Sequence, residues 1–216
     1  SYGEAAAKAI ELGGLYSGQE FPEDIHPITQ RAVQGLAGTG LIGVAKDNLP
    51  KRGIAPGLMI SMAEIEVDLE TGKYEILDYV GVADCGTIIH PQGLSQQING
   101  GGVWGFGMAG SERHVYDPQI ALPANLGMYQ AKIPTILDVP AEMLNGAVDI
   151  ADPYNPAGGR GVGEPSQGSA VAAITSAIAD ALDGHLFNRV PVTPDMIVNH
   201  ATGAEQESKL LALNTF

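Results

Sequence analysis

The chemistry-bearing residues of this chain gather in two places. In "GGRGVGEP", Gly158 to Pro165, a single carboxylate, Glu164, follows glycines at the alternate positions 159, 161 and 163. Such spacing lets the backbone take φ values closed to other residues and approach a ligand to contact distance. Pro165 suits the first turn of a helix, where its missing N–H has no partner to lose. A carboxylate held rigidly at the mouth of a helix can act as a general base when a proton lies within hydrogen-bond reach. The same residue could equally serve the helix dipole, a stabilisation of a few tenths to about 1 kcal/mol.

The second place is "DCGTIIHPQGLSQQINGGGVWGFG", Asp84 to Gly107. Here Ser95, Gln96 and Gln97 lead into a glycine-lined segment of helical length. Amides offer hydrogen bonds to a flat heterocycle, and glycines let such a ligand lie close. The alternative is tight packing against another helix, with Asp84 in a turn and the glutamines in solvent. Trp104 is expected to pack within this helix.

Other chemistries find no support. The glycine run reads G-x-G-x-G-E rather than G-x-G-x-x-G, and no Gly-Lys-Ser/Thr follows any glycine cluster, so neither dinucleotide nor Walker-type phosphate binding is indicated. His26, His90, His114, His185 and His200 lack metal-site spacing. No G-x-S-x-G elbow offers a serine nucleophile. Cys85, the only cysteine, excludes an internal disulfide and a cysteine-ligated iron–sulfur cluster within this chain. It reads as a small buried residue in a reducing, cytoplasmic setting.

The elements that must position these groups are legible in part. "YGEAAAKAIELGG" predicts a helix from Ala5 to Leu12, and the proline-punctuated stretch from Leu15 to Gly57 predicts loops. Alternation at Ala63, Ile65, Val67 and Leu69, a turn at Glu70-Thr71-Gly72, and a return through Tyr74, Ile76, Tyr79, Val80 and Val82 predict a long β-hairpin with one face on a core. Gly146 to Ile150 predicts another strand. Behind Glu164, Val171, Ile174, Ile178 and Leu182 mark one face of an alanine-rich helix expected to be buried on nearly all sides. The fold class is therefore α+β: a mixed sheet containing the hairpin, with packed glycine-rich and alanine-rich helices. One domain, 1–201, followed by a peripheral arm, 202–216, is the expected division.

Among the 216 residues, 25 acidic against 11 basic side chains give a formal charge of −14, a field that repels a phosphate backbone and argues against nucleic-acid binding. Charged residues make up only 17%, against about a quarter in an ordinary soluble domain, so part of the surface is expected to be covered by a partner. No apolar run reaches the length of a membrane span. The chain opens on Ser1 rather than methionine, which suggests a processed product or a piece of a longer protein.

Taken in order, "VADCGTIIHPQGLSQQINGGGVWGFG", then "GRGVGEP" and the alanine-rich helix, resemble the C-terminal part of the molybdenum-binding subunit of the xanthine oxidase/aldehyde oxidoreductase family. "EIEVDLETGKYEI", "YQAKIPTILDVP" and "RVPVTPDMI" extend the similarity over nearly the whole chain. The resemblance implies half of a molybdopterin-binding domain in a hydroxylase that inserts oxygen from water into a C–H bond of an aldehyde or N-heteroaromatic. It implies a molybdenum–molybdopterin cofactor, in its cytosine dinucleotide form, with Glu164 as general base, Gln97 contacting the pterin, and Gly161, Val162 and Gly163 bordering the cofactor. No residue here ligates the metal directly. A companion molybdenum-binding chain would supply the rest of the site, and iron–sulfur [2Fe-2S] and flavin (FAD) subunits would carry electrons away. Arg160 departs from the family's usual lysine, and Trp104 from a common glutamine. The alternatives are a family member acting on a thioester or carbon monoxide, and a non-catalytic assembly subunit whose glycines serve packing only.

Overall fold

The computed structural model describes residues 1–11, 26–36, 56–117, 119–155 and 157–206. They belong to two compact units, Ser1–Arg52 and Gly53–Phe216. The first contains α1 (Tyr2–Glu11) and α2 (Pro27–Gly35). Helix α1 begins three residues ahead of the expected Ala5, and Leu12 lies outside the described residues. Helix α2 corrects the loop reading of its stretch. Pro27 starts that helix rather than breaking it, and the His26 imidazole caps it by accepting from the Ile28 N–H at 3.2 Å.

The second unit holds the predicted hairpin. Strands β1 (Leu58–Val67) and β2 (Tyr74–Asp84) pair antiparallel, and β3 (Met143–Val148) lies parallel to β2, which makes a mixed sheet in the order β1-β2-β3. The turn is closed by the Asp68 carboxylate, which accepts from the N–H of Glu70 at 2.9 Å and from the Thr71 hydroxyl at 2.7 Å. These bonds hold the carboxyl below the usual carboxylate range. One residue of β2, Leu77, bulges out where the register passes from Glu64 opposite Asp78 to Ile65 opposite Ile76. A bulge shifts the face that later residues present. That is why Ile76 and Tyr79 both point inward although they stand three positions apart, a spacing that puts residues of a regular strand on opposite faces. It also corrects the expected course of β2: buried Tyr79, Gly81 and Ala83 face the helices, whereas Val80 and Val82 share the opposite face with exposed Ile60 and Met62.

A parallel strand needs a long crossover, and α3 (Pro91–Gly110) forms its main part. The short α4 (Met128–Ala131) and a 3₁₀ turn at Ile136–Asp138 follow before β3, which sits earlier than the expected 146–150. Helices α3 and α5 (Glu164–Ala181) cover one face of the sheet; Phe106 of α3 and Ala170, Ile174 and Ile178 of α5 join Tyr79 of β2, Val192 and Ile197 in the main core. The Tyr79 and Phe106 rings meet edge to face at 5.0 Å. Contrary to the all-round burial expected, α5 leaves Ala172, Ser176 and Asp180 exposed. Helix α6 (Pro194–Thr202) contributes Met196 and Ile197 and crosses the expected boundary at 201. Beyond it, the Gln206 amide donates to the Met196 carbonyl at 3.0 Å, and 207–216 of the expected arm lie outside the described residues.

Candidate functional site

The α3 glycines, read in the sequence as serving either tight packing or ligand approach, differ in what surrounds them. A Cβ on Gly101 would collide with the Ser166 side chain, and one on Gly105 with Ala170 Cβ and, at 2.8 Å, the Gln167 carbonyl, so these two let α5 lie against α3. A Cβ on Gly100 meets nothing within 4 Å. That open side belongs to a cleft of about 470 Å³ lined by Gln96, Gln97, Gly100, Trp104, Gly163 and Glu164, among others. Trp104 does not pack inside the helix as expected; it is 59% exposed and forms part of the cleft wall.

Glu164 is the first residue of α5, followed by Pro165 as anticipated. The N-cap is Gly163 at φ 155°, ψ −99°, a conformation that L side chains rarely adopt. Here the glycine is required, and its added Cβ would also come within 3.3 Å of the Gln97 amide oxygen. Val162 turns its side chain into a small core with Ala83, Cys85 and Ile98, which anchors the loop while its neighbours border the cleft. Buried Ser166 ties the two sequence segments together, its hydroxyl lying between the carbonyls of Gln97, at 3.2 Å, and Gly163. Among the described residues, the N–H groups of Gly161, Val162, Gly163 and Glu164 have no acceptor. They form a consecutive run of donors beside the cleft.

A second cleft of about 350 Å³ adjoins the first, with Gln97 and Val162 contributing to both. Its wall includes His90, Gly93, Gly159, Arg160 and Gly161. His90 caps α3, its Nδ1 accepting from the Gly93 N–H at 2.7 Å. All five residues singled out in the sequence, Gln97, Gly161, Val162, Gly163 and Glu164, therefore line one or both of two contiguous clefts. A larger cleft of about 820 Å³, lined by Met108, Glu112, Arg113 and Arg189, contains none of them.

Sequence reading missed the support beneath the loop. Arg160 donates from Nε to Asp152 at 2.6 Å and from Nη1 to Asp84 at 2.9 Å. Asp152 is almost wholly buried, and the Arg160 guanidinium, helped by the Tyr154 N–H, holds its carboxyl below the usual range. The arginine is in turn held more firmly protonated, first by Asp152. Cys85, predicted as a small buried residue, is 4% exposed, and burial pushes its thiol up. The signal that could have revealed the clasp is the pair of aspartates, Asp84 at the end of β2 and Asp152 eight residues before Arg160, but neither spacing nor periodicity connects them.

The donor set suits a flat, hydrogen-bonding cofactor: a cradle that Cβ atoms would narrow, the Gln97 amide, and a run of free N–H groups. Comparison with known proteins points to the same group. Residues 30–140 match the molybdopterin cofactor-binding domain family. The chain is 32% identical over 151 residues to the 6-hydroxypseudooxynicotine dehydrogenase complex subunit gamma of Paenarthrobacter nicotinovorans, covering 69% of this chain and 19% of that one. It is 30% identical over 139 residues to the xanthine dehydrogenase molybdenum-binding subunit of Escherichia coli O157:H7, covering 64% and 18%. Among solved structures, quinoline 2-oxidoreductase from Pseudomonas putida 86 superposes with a TM-score of 0.59 at 29% identity over 65% of this chain and 18% of that one. Aldehyde oxidoreductase from Desulfovibrio gigas gives 0.59 and 29% over 66% and 15%. The chain thus spans less than a fifth of the length of these relatives. On the matched residues and the shared fold, it belongs to the molybdopterin cofactor-binding domain family and corresponds to part of a molybdenum-binding subunit of the xanthine oxidase type.

Proposed function

We propose that this chain forms one side of the active-site cavity of a molybdenum hydroxylase, with Glu164 as general base and Gln97 as a pterin contact. The observation that carries the reading is the convergence of Gln97, Val162, Gly163 and Glu164, from segments more than sixty residues apart, on one cleft. A bound molybdenum–pterin group supplies a two-electron acceptor and a Lewis-acid centre that acidifies water. Gln97 and the N–H run from Gly161 to Gly163 hold and orient that group's polar edge. The Glu164 carboxylate takes the proton from the attacking water-derived oxygen. Overall, C–H and H₂O become C–OH with release of two electrons and two protons, and Glu164 passes one of those protons to solvent. Trp104 presents an exposed ring face in the same cleft, which favours the flat N-heteroaromatic substrates over small aldehydes.

The remaining wall would come from a companion molybdenum-binding polypeptide, in keeping with the fraction of its relatives that this chain spans. The cytosine dinucleotide form of the cofactor, the [2Fe-2S] and FAD partners and a cytoplasmic location belong to the same proposal. No helix among the described residues is long and apolar enough to cross a membrane. A packing-only role accounts for Gly101 and Gly105, but it leaves Gly100 and Gly161, which face open space, without a purpose. The test is Glu164→Gln in the assembled complex. Molybdenum content should be unchanged and kcat/KM should fall by about 10²- to 10⁴-fold, the usual contribution of a positioned base. Near-normal turnover with a full complement of molybdenum would overturn the assignment.

A further inference from the structure

The geometry points to Arg160 as a positioning residue that fixes the Gly161–Gly163 backbone beside Glu164. The inference rests on the base reading above for its catalytic consequence, but not for its structural one. The loop before Arg160 is closed on itself: the Gly158 carbonyl accepts from the N–H of Thr87 and of Asp152, both at 2.8 Å, and the Asn155 amide donates to the Gly159 carbonyl at 2.7 Å. Arg160 is then held at both ends. Its main-chain N–H donates to the Cys85 carbonyl at 2.7 Å, and its side chain grips Asp84, next to Cys85, and Asp152 across the loop. Nη1 also lies 3.4 Å from the Pro56 carbonyl, so a single guanidinium joins the approach to β1, the end of β2 and the 152–158 loop.

Among the described residues, the main chain past Arg160 has no hydrogen bond until the Gly163 carbonyl reaches Ser166. Between these two anchors only the Val162 side chain is seated, against Ala83, Cys85 and Ile98. An apolar contact is non-directional and tolerates rotation of the chain about it. The forked guanidinium, which engages two carboxylates from separate nitrogens, supplies the direction that the apolar contact lacks. Its charge is consumed by Asp84 and Asp152, which are 29% and 1% exposed at the side chain. Arg160 therefore acts on geometry rather than as a free cation for the substrate. A lysine at this position would offer a single nitrogen in place of the two from which Arg160 engages its carboxylates, and so would not reproduce the fork.

The experiment compares Arg160→Met, Arg160→Lys and the near-isosteric Asp152→Asn with the parent in the purified molybdenum complex. It reads molybdenum content, kcat and KM separately, and hydrogen–deuterium exchange of peptides covering 158–166 and 58–67. Expected are full molybdenum content, a fall in kcat approaching about 100-fold for Arg160→Met, as for a misplacement near 1 Å, and KM changed by no more than about threefold. Exchange should rise by about tenfold in 158–166 and stay unchanged in 58–67. Arg160→Lys and Asp152→Asn should fall between the parent and Arg160→Met on both scales. Unchanged exchange with lowered kcat would make Arg160 an electrostatic residue and overturn the proposal. Unchanged values throughout would overturn it as well, as would loosened exchange in both peptides of Asp152→Asn, which would mark a general stability role. Glu164→Gln in the same series separates the two claims. If that variant keeps its turnover, the base reading fails while the exchange comparison still decides whether Arg160 fixes the loop.

Discussion

Exchanging a helical glycine for alanine should have opposite signs at two positions of α3 only five residues apart. In a helix interior Gly→Ala gains about 1 kcal/mol from backbone entropy alone. At Gly100 nothing lies within 4 Å of the new methyl, so that gain stands undiminished. At Gly105 the methyl meets Ala170 Cβ, the Gln167 carbonyl at 2.8 Å and the Val171 nitrogen at 3.1 Å. Two of these are main-chain atoms of α5, and no rotamer change can move them. Overpacking costs about 1–3 kcal/mol, and the upper end applies because two helices must part. The net for Gly105→Ala is then a loss of about 2 kcal/mol, the overpacking cost less the propensity gain. For a chain of this size about 1 kcal/mol moves the midpoint by 2–4 °C. Thermal unfolding of the purified chain followed by far-ultraviolet circular dichroism should therefore show Gly105→Ala melting about 4–8 °C lower than the parent and Gly100→Ala about 2–4 °C higher. The propensity gain is common to both, so their difference isolates the collision. Equal or reversed shifts would refute the close approach of α3 and α5. In the assembled complex, Gly100→Ala should nonetheless lower molybdenum content or turnover, because its methyl enters the cleft.

Ser166→Ala deletes the buried hydroxyl that lies between the Gln97 and Gly163 carbonyls; the Gly163 carbonyl keeps the Ser166 main-chain N–H at 3.0 Å, so the loss should be the net worth of one hydrogen bond, about 0.5–1.5 kcal/mol in a urea titration. Unchanged stability would show that the hydroxyl adds nothing to the joint between the two segments. Ile174→Ala removes a side chain with no exposure at the centre of the main core and should cost about 2–5 kcal/mol in the same assay; a cost under about 1 kcal/mol would place it outside a packed core. Asp152 has a folded-state pKa below its ordinary value. The stability it contributes is therefore fully present above the ordinary aspartate range and is lost as pH falls through the depressed value. Asp152→Asn should flatten that part of the acid-stability curve, as read by unfolding midpoints between neutral and strongly acidic pH, and a parent-like curve would contradict the clasp.

The sequence determined a good deal unaided, because some signals are local. Period-two alternation from Ala63 to Val67 and back from Tyr74, with Asp68 and Gly72 at the turn, needs only the pleat of a strand to place one face inward. Gly163, Glu164 and Pro165 announce a helix start by backbone chemistry alone, and the order of the two glycine motifs was enough to suggest the family. The tertiary structure decided what depends on partners distant along the chain. Leu77 reads as one more strand residue, and only pairing with β1 makes it a bulge that sends Val80 and Val82 to the outer face. Seven glycines in α3 look alike in one dimension. The proximity of α5 separates Gly101 and Gly105, which admit a helix, from Gly100, which faces a cleft. Arg160 reads as a lone cation within a glycine run. Its two carboxylates stand 76 residues and 8 residues away, and no periodicity carries that meeting, because a salt bridge is specified by where the fold brings charges together and not by their order along the chain.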